Sequence, residues 1–184
     1  MKKFISLAIL LLTASLLFGQ TAEKKIKSIA KEVEKINAET PTYTSKLFHN
    51  NRPMGETKGL YQDGQLKVIV LKKDLMTGVA FTEYYFSDNK LIYVHEREDK
   101  WDPVKGGSEK INPLDSLFKQ VKNMYDGKYY FWNGQLFEET IKDERERKGS
   151  GLIPDHEGKE KFIFESVREL TEQLNSGQAK DYKE

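Results

Sequence analysis

The sequence predicts an α+β domain: an antiparallel sheet of about six or seven strands built from hairpins, with an N-terminal, a middle and a C-terminal helix. Three observations lead there. Three segments share an aromatic–turn–leucine pattern, three others repeat apolar residues at helical spacing, and all five prolines fall outside the strand-like runs.

The chain opens with Lys2 and Lys3, an apolar run from Phe4 to Phe18, and a small residue at Gly19. This is the grammar of a cleavable secretory signal, and the run is shorter than the roughly 20 apolar residues of a spanning helix. Residues 1–19 are therefore expected to be removed near 19/20, leaving 20–184 as one globular domain. Without cysteine the new terminus is not that of a lipoprotein, so the mature chain is expected in the periplasm or outside the cell, without a stable membrane anchor.

From Glu23 to Thr40, Ile26, Ile29, Ala30, Val33 and Ile36 paint one stripe of an amphipathic helix, which Thr40-Pro41 ends. A short strand is expected near Thr42–Phe48. Two hairpins follow, around Leu60-Tyr61-Gln62-Asp63-Gly64-Gln65-Leu66 and Tyr85-Phe86-Ser87-Asp88-Asn89-Lys90-Leu91. A third is centred on Tyr130-Phe131-Trp132-Asn133-Gly134-Gln135-Leu136. Asp-Gly, Asp-Asn and Asn-Gly accept the positive φ angles of a two-residue turn. Counting outward sets Tyr61 opposite Leu66, Phe86 opposite Leu91 and Phe131 opposite Leu136. The same count puts Val68, Val70 and the pair Tyr84–Tyr93 on that face, and Leu60, Ile69, Leu71, Tyr85, Val94 and Tyr130 on the other.

Before the third hairpin, Asn112-Pro113 reads as an N-cap with proline at the first helical position. Leu114, Leu117, Phe118, Val121 and Tyr125 then form a stripe that Asp126-Gly127 closes. The last helix spans about Glu157 to Asn175, with Ile163, Val167, Leu170 and Leu174 on one side. Since both faces of the hairpins carry apolar residues, either helices cover both or one is a binding surface.

Loss of Lys2 and Lys3 leaves 28 basic against 29 acidic residues, a charge near −1 that gives no field to steer nucleic acid. With no cysteine, neither disulfides nor thiol chemistry is available, and burial must hold the fold. His95-Glu96-Arg97-Glu98-Asp99 begins like a zinc-protease motif but ends in Asp and reads as strand, and His49 and His156 read as solvated. No nucleophile elbow, dinucleotide fingerprint or phosphate loop is present. Catalytic, metal and cofactor residues are accordingly expected to be none, although carboxylates such as Glu83, Glu138 and Glu139 are abundant.

The phrases Glu83-Tyr84-Tyr85-Phe86-Ser87-Asp88-Asn89-Lys90-Leu91 and Lys128-Tyr129-Tyr130-Phe131-Trp132-Asn133-Gly134-Gln135-Leu136 resemble those of a group of uncharacterised exported bacterial proteins with repeated aromatic hairpins. That resemblance implies an α+β fold and no known activity. Tyr129 to Thr140 is also similar to the variant membrane-occupation (MORN-like) repeat, although the hairpins here are unevenly spaced, 25 and 45 residues apart at their leucines.

The function these observations favour is a non-enzymatic exported binding protein for another protein or an envelope component. It would use the second sheet face, through Tyr85, Tyr130 and Trp132, or the loops at the hairpin ends. A small envelope hydrolase using carboxylates and a structural, oligomeric envelope protein are the alternatives.

Overall fold

The computed structural model describes the backbone of residues 2–51, 54–102, 120–145 and 156–182, and the side chains of 21–49, 55–100, 122–145 and 157–181. Helix α1 (Lys2–Glu39) leads through a single 3-10 turn (Thr40–Thr42) into β1 (Thr44–Asn51). Five further strands follow in sequence: β2 (Met54–Gln62), β3 (Gln65–Leu75), β4 (Gly78–Ser87), β5 (Lys90–Asp102) and β6 (Gln120–Trp132). The chain then runs through β7 (Gln135–Asp143), helix α2 (His156–Asn175) and β8 (Lys180–Tyr182). One antiparallel sheet of eight strands, in the order β7-β6-β5-β4-β3-β2-β1-β8, takes in all of them. The expected six or seven strands become eight because Lys180–Tyr182 pairs with Ser45, Lys46 and Leu47 of β1. Three residues are too few to show a period in sequence.

The three hairpins form as the turn residues require. Asp63 and Gly64, Asp88 and Asn89, and Asn133 and Gly134 all have φ between 50° and 77°, the type I′ geometry whose twist matches that of the strands. Tyr61 faces Leu66, Phe86 faces Leu91 and Phe131 faces Leu136, as counted. Beyond these pairs the register slips in all three at the same place, so that Leu60 faces Val68, Tyr85 faces Tyr93 and Tyr130 faces Glu138. Lys67, Ile92 and Phe137 are thus the extra residues of three equivalent bulges. Because side chains alternate with a period of two, one extra residue exchanges the faces of everything beyond it on that strand. The expected Tyr84–Tyr93 pair is therefore replaced by Tyr84–Val94. Ile69, Leu71 and Val94 join Phe131 on one face, and Val68, Val70 and Tyr93 join Tyr85 on the other.

The expected middle helix is corrected in the part that can be seen, since Val121 and Tyr125 lie in β6; its start at 112–119 falls outside the described residues. Among the described residues there are two helices rather than three. Around Tyr125 the alternation Tyr125, Gly127, Tyr129, Phe131 is a strand period, with every one of these residues buried. Asp126-Gly127, which reads as a helix stop, sits in mid-strand opposite Arg97 and Glu96. Gly127 has a packing role there: a Cβ on it would lie 2.8 Å from the Tyr125 ring and 2.9 Å from the Tyr129 hydroxyl.

The two helices cross opposite faces of the sheet. On α1, Lys25 Nζ stands 5.1 Å from the Trp132 ring, Glu32 accepts a hydrogen bond from Ser87 Oγ at 3.3 Å, and Glu39 accepts one from Gln62 Nε2 at 3.3 Å. These contacts touch the third, second and first hairpins in turn. Seven helical residues span about 10.5 Å and two strand spacings about 9.6 Å, so a heptad along α1 keeps step with one hairpin per repeat. Ile29 and Ile36 are the buried residues of its stripe, whereas Ala30 faces solvent. On the other face, Glu160 of α2 accepts a hydrogen bond from the Leu136 amide at 2.7 Å, and Leu174 fills the space over Gly59 of β2. Between them Ile163, Leu170 and Leu174 close the main core with Tyr84, Phe86, Tyr129 and Phe131. Both faces therefore carry a helix. Among the described residues no helix is long and apolar enough to cross a membrane.

Candidate functional site

Tyr85, Tyr130 and Trp132 all lie on the α1 side of the sheet, but in different environments. Tyr85, expected as an exposed anchor, is buried among Ile36, Leu60 and Val68, because α1 passes over it. Burial, reinforced by the neighbouring Glu83 carboxylate, pushes its hydroxyl up to about 12. Tyr130 is half-buried, its ring 5.2 Å from that of Tyr93, which stands 5.7 Å from Tyr85. Trp132 is 40% exposed, with Lys25 above it. The three thus form no single patch.

Beyond this tyrosine row lies an ionic cluster. His95 Nε2 is 3.1 Å from Asp126 Oδ1, and its Nδ1 is 3.6 Å from Glu83 Oε2, which also accepts a hydrogen bond from Tyr85 OH at 3.3 Å. Hydrogen bonding to Glu83, together with the Asp126 charge, holds the His95 imidazolium above its ordinary value of 6.5, and the same partner holds the Glu83 carboxyl below its own. The His95 contribution to stability is whole below its unfolded value and disappears as pH rises through the raised folded value. Glu83 behaves oppositely, losing its contribution as pH falls through its depressed value. Urea midpoints measured from about pH 5 to about pH 9 are expected to fall on the alkaline side in the wild-type protein. In His95→Gln that limb should be visibly flatter; an identical slope in both would show that the pair does not couple to folding.

A second polar cluster lies on the α2 side. Tyr129 donates to Glu96 Oε2 at 3.1 Å and bonds the Tyr125 hydroxyl, while Lys159 donates to the same Glu96 oxygen at 3.1 Å. Arg145 grips Asp143 with two nitrogens at 2.9 and 2.8 Å, reaches Glu98 at 3.3 Å, and stands 4.1 Å from the Tyr125 ring centre. These charges satisfy one another around a cavity of only about 180 Å³. That is a clamp between β5, β6 and the start of α2.

A larger space lies at the far corner, where the first hairpin, the 3-10 turn and the β1–β8 edge meet. This groove of about 830 Å³ is within the usual range for ligand sites. Tyr43, Leu60 and Tyr61 give it apolar walls; Thr44, Asn175 and Asp181 give it hydrogen-bonding groups, and Lys46 adds a charge. The neighbouring structure holds the aromatic walls in place. Tyr43 OH donates to Glu39 Oε2 at 3.3 Å, and the Tyr61 ring lies across Gly59 with Lys46 Nζ 5.4 Å from its centre. Burial raises the pKa of both hydroxyls, with Glu39 adding to the effect at Tyr43, so each stays neutral and able to donate. Lys46 and Asp181 are opposed across the β1–β8 pair, which leaves the groove mixed in sign. The hairpin pattern marks Tyr61 as an inward-facing residue, while Tyr43 and Lys46 carry no sequence signal; only the return of the chain at β8 brings Asp181 beside them.

Among the described residues no group of three or more His, Cys, Asp or Glu is placed to hold a metal ion. Compared with protein-family models, curated proteins and solved structures, the chain matches none of them.

Proposed function

We propose that the mature chain is an exported, non-enzymatic binding protein that holds a glycan of the cell envelope in the groove between Tyr43 and Tyr61. The single observation that carries this reading is the groove's combination of size and lining. A sugar ring presents an apolar C–H face and a polar rim. The Tyr61 ring on the α2 side of the sheet edge and the Tyr43 ring on the α1 side each suit the face, while Asn175, Asp181, Lys46 and Thr44 suit the rim. The groove sits at a hairpin end, one of the two places where the sequence favours binding, and the expected leader at 1–19 would supply the compartment. The carboxylate-hydrolase alternative calls for a carboxyl group kept protonated in a cleft. Glu83 beside His95 is instead held ionised.

Titrating the isotope-labelled protein with soluble peptidoglycan fragments tests the assignment. Amide shifts are expected to concentrate in residues 40–46 and 58–64 and around Asn175 and Asp181. Shifts confined to Tyr130 and Trp132, or none at all, would overturn it.

A further inference from the structure

We propose that the outer edge of β7 is a self-association surface, through which two copies of the chain join their sheets across a two-fold axis. At the other end of the sheet, β8 covers part of the β1 edge; at this end β7 is the last strand, and no other strand among the described residues pairs with the outer backbone edge of Gln135–Asp143. Of the four large hydrophobic residues described as exposed, Ile141 lies in β7 itself, and Trp132, on the opposite face of the sheet, ends the neighbouring strand. An open strand edge with apolar residues beside it is a template for strand pairing.

The charges of β7 choose the partner and the register. In an antiparallel pair related by a two-fold axis normal to the sheet, opposed residues must point to the same face, so only registers shifted by whole two-residue steps are possible. Centring the pair on Thr140 places Glu138 opposite Lys142 twice, with Thr140 opposite its own copy between them. Centring it on Glu139 or Glu138 sets like acids directly opposite each other. Centring it on Ile141 opposes Glu139 to Asp143 twice, and centring it on Lys142 opposes two lysines. The same charges that protect this edge against arbitrary strands therefore leave one register in which a second β7 is complementary. Lys142 is exposed, its ammonium 3.0 Å from Glu144 Oε1 on its own chain, so it can reach a partner strand without unpacking anything. The resulting dimer would carry one continuous sheet, with the two glycan grooves at its outer ends and both left open.

Sedimentation of the purified protein over a range of concentrations tests this, with two charge reversals made separately and together. The wild-type protein is expected to show a monomer–dimer equilibrium. Glu138→Lys or Lys142→Glu alone sets like charges opposite each other twice, and either should weaken association by about tenfold or more. Glu138→Lys with Lys142→Glu restores opposed charges and should restore the dimer, which separates loss of pairing from loss of folding. A wild-type protein that stays monomeric, single variants that associate as well as it does, or a double variant that stays monomeric would each overturn the proposal.

Discussion

Replacing Phe131 with alanine is expected to remove about 3–5 kcal/mol of stability, the usual cost of truncating a fully buried aromatic ring. Phe131 is 1% exposed, on the α2 face of the third hairpin. Its ring meets Phe164 of α2 edge-on at 5.5 Å, an arrangement favourable beyond area burial alone. The cavity would open between a sheet and a helix fixed at both ends, by Glu160 on Leu136 and by Leu174 over Gly59, so little collapse is available to reduce the cost. For a chain of this length, each kcal/mol lowers the melting temperature by about 2–4 °C, giving a drop of roughly 6–20 °C in a calorimetric scan. Trp132, the next residue, is 40% exposed and should cost less than about 1 kcal/mol as alanine. Equal losses at the two positions would mean that the strand faces are assigned wrongly.

Gly127→Ala is the second substitution expected to matter, although it adds a single methyl group. The new carbon would sit 2.8 Å from both the Cε1 and the hydroxyl of Tyr125, and 2.9 Å from the hydroxyl of Tyr129. Neither tyrosine can simply swing aside. Tyr129 is fully buried and hydrogen-bonded to Glu96 and Tyr125, and Tyr125 lies under the Arg145 guanidinium. Overpacking of this kind costs about 1–3 kcal/mol, and here it also pries apart the polar clamp that ties β5 and β6 to Lys159 of α2. Urea denaturation should show the loss as a lower midpoint. A midpoint equal to that of the wild-type protein would show that the two rings have room to move.

How far the fold could be read from the sequence follows from which interactions are local. Asp63-Gly64, Asp88-Asn89 and Asn133-Gly134 specify their turns by backbone preference alone, so the hairpins and the first pair beyond each turn are legible. Two residues further out the count fails, because Lys67, Ile92 and Phe137 are bulges and nothing in their identity announces the extra residue. That one unseen feature moved Ile69, Val94 and Tyr93 to the wrong faces, whereas Tyr85, on the expected face, is buried because α1 passes over it. Tyr125 misled differently: its spacing from Val121 and Phe118, four and seven residues, fits a helix, and pairing with β5 overrides that pattern only in three dimensions. The groove was less legible still. Its walls come from residues more than a hundred positions apart: Lys46 and Tyr61 meet through the β1–β2 pairing, and Asp181 joins them only because β8 returns to β1.

The claim that the corner groove is the binding site is tested most directly by filling it. Thr44 lies on its wall, exposed, with only its hydroxyl engaged, to the Tyr61 carbonyl at 3.4 Å, so Thr44→Trp should block the space without touching the core. Calorimetric titration with soluble peptidoglycan fragments is expected to show binding by the wild-type protein and by Trp132→Ala, and a loss of about tenfold or more in affinity for Thr44→Trp. Undiminished binding by Thr44→Trp would contradict the assignment.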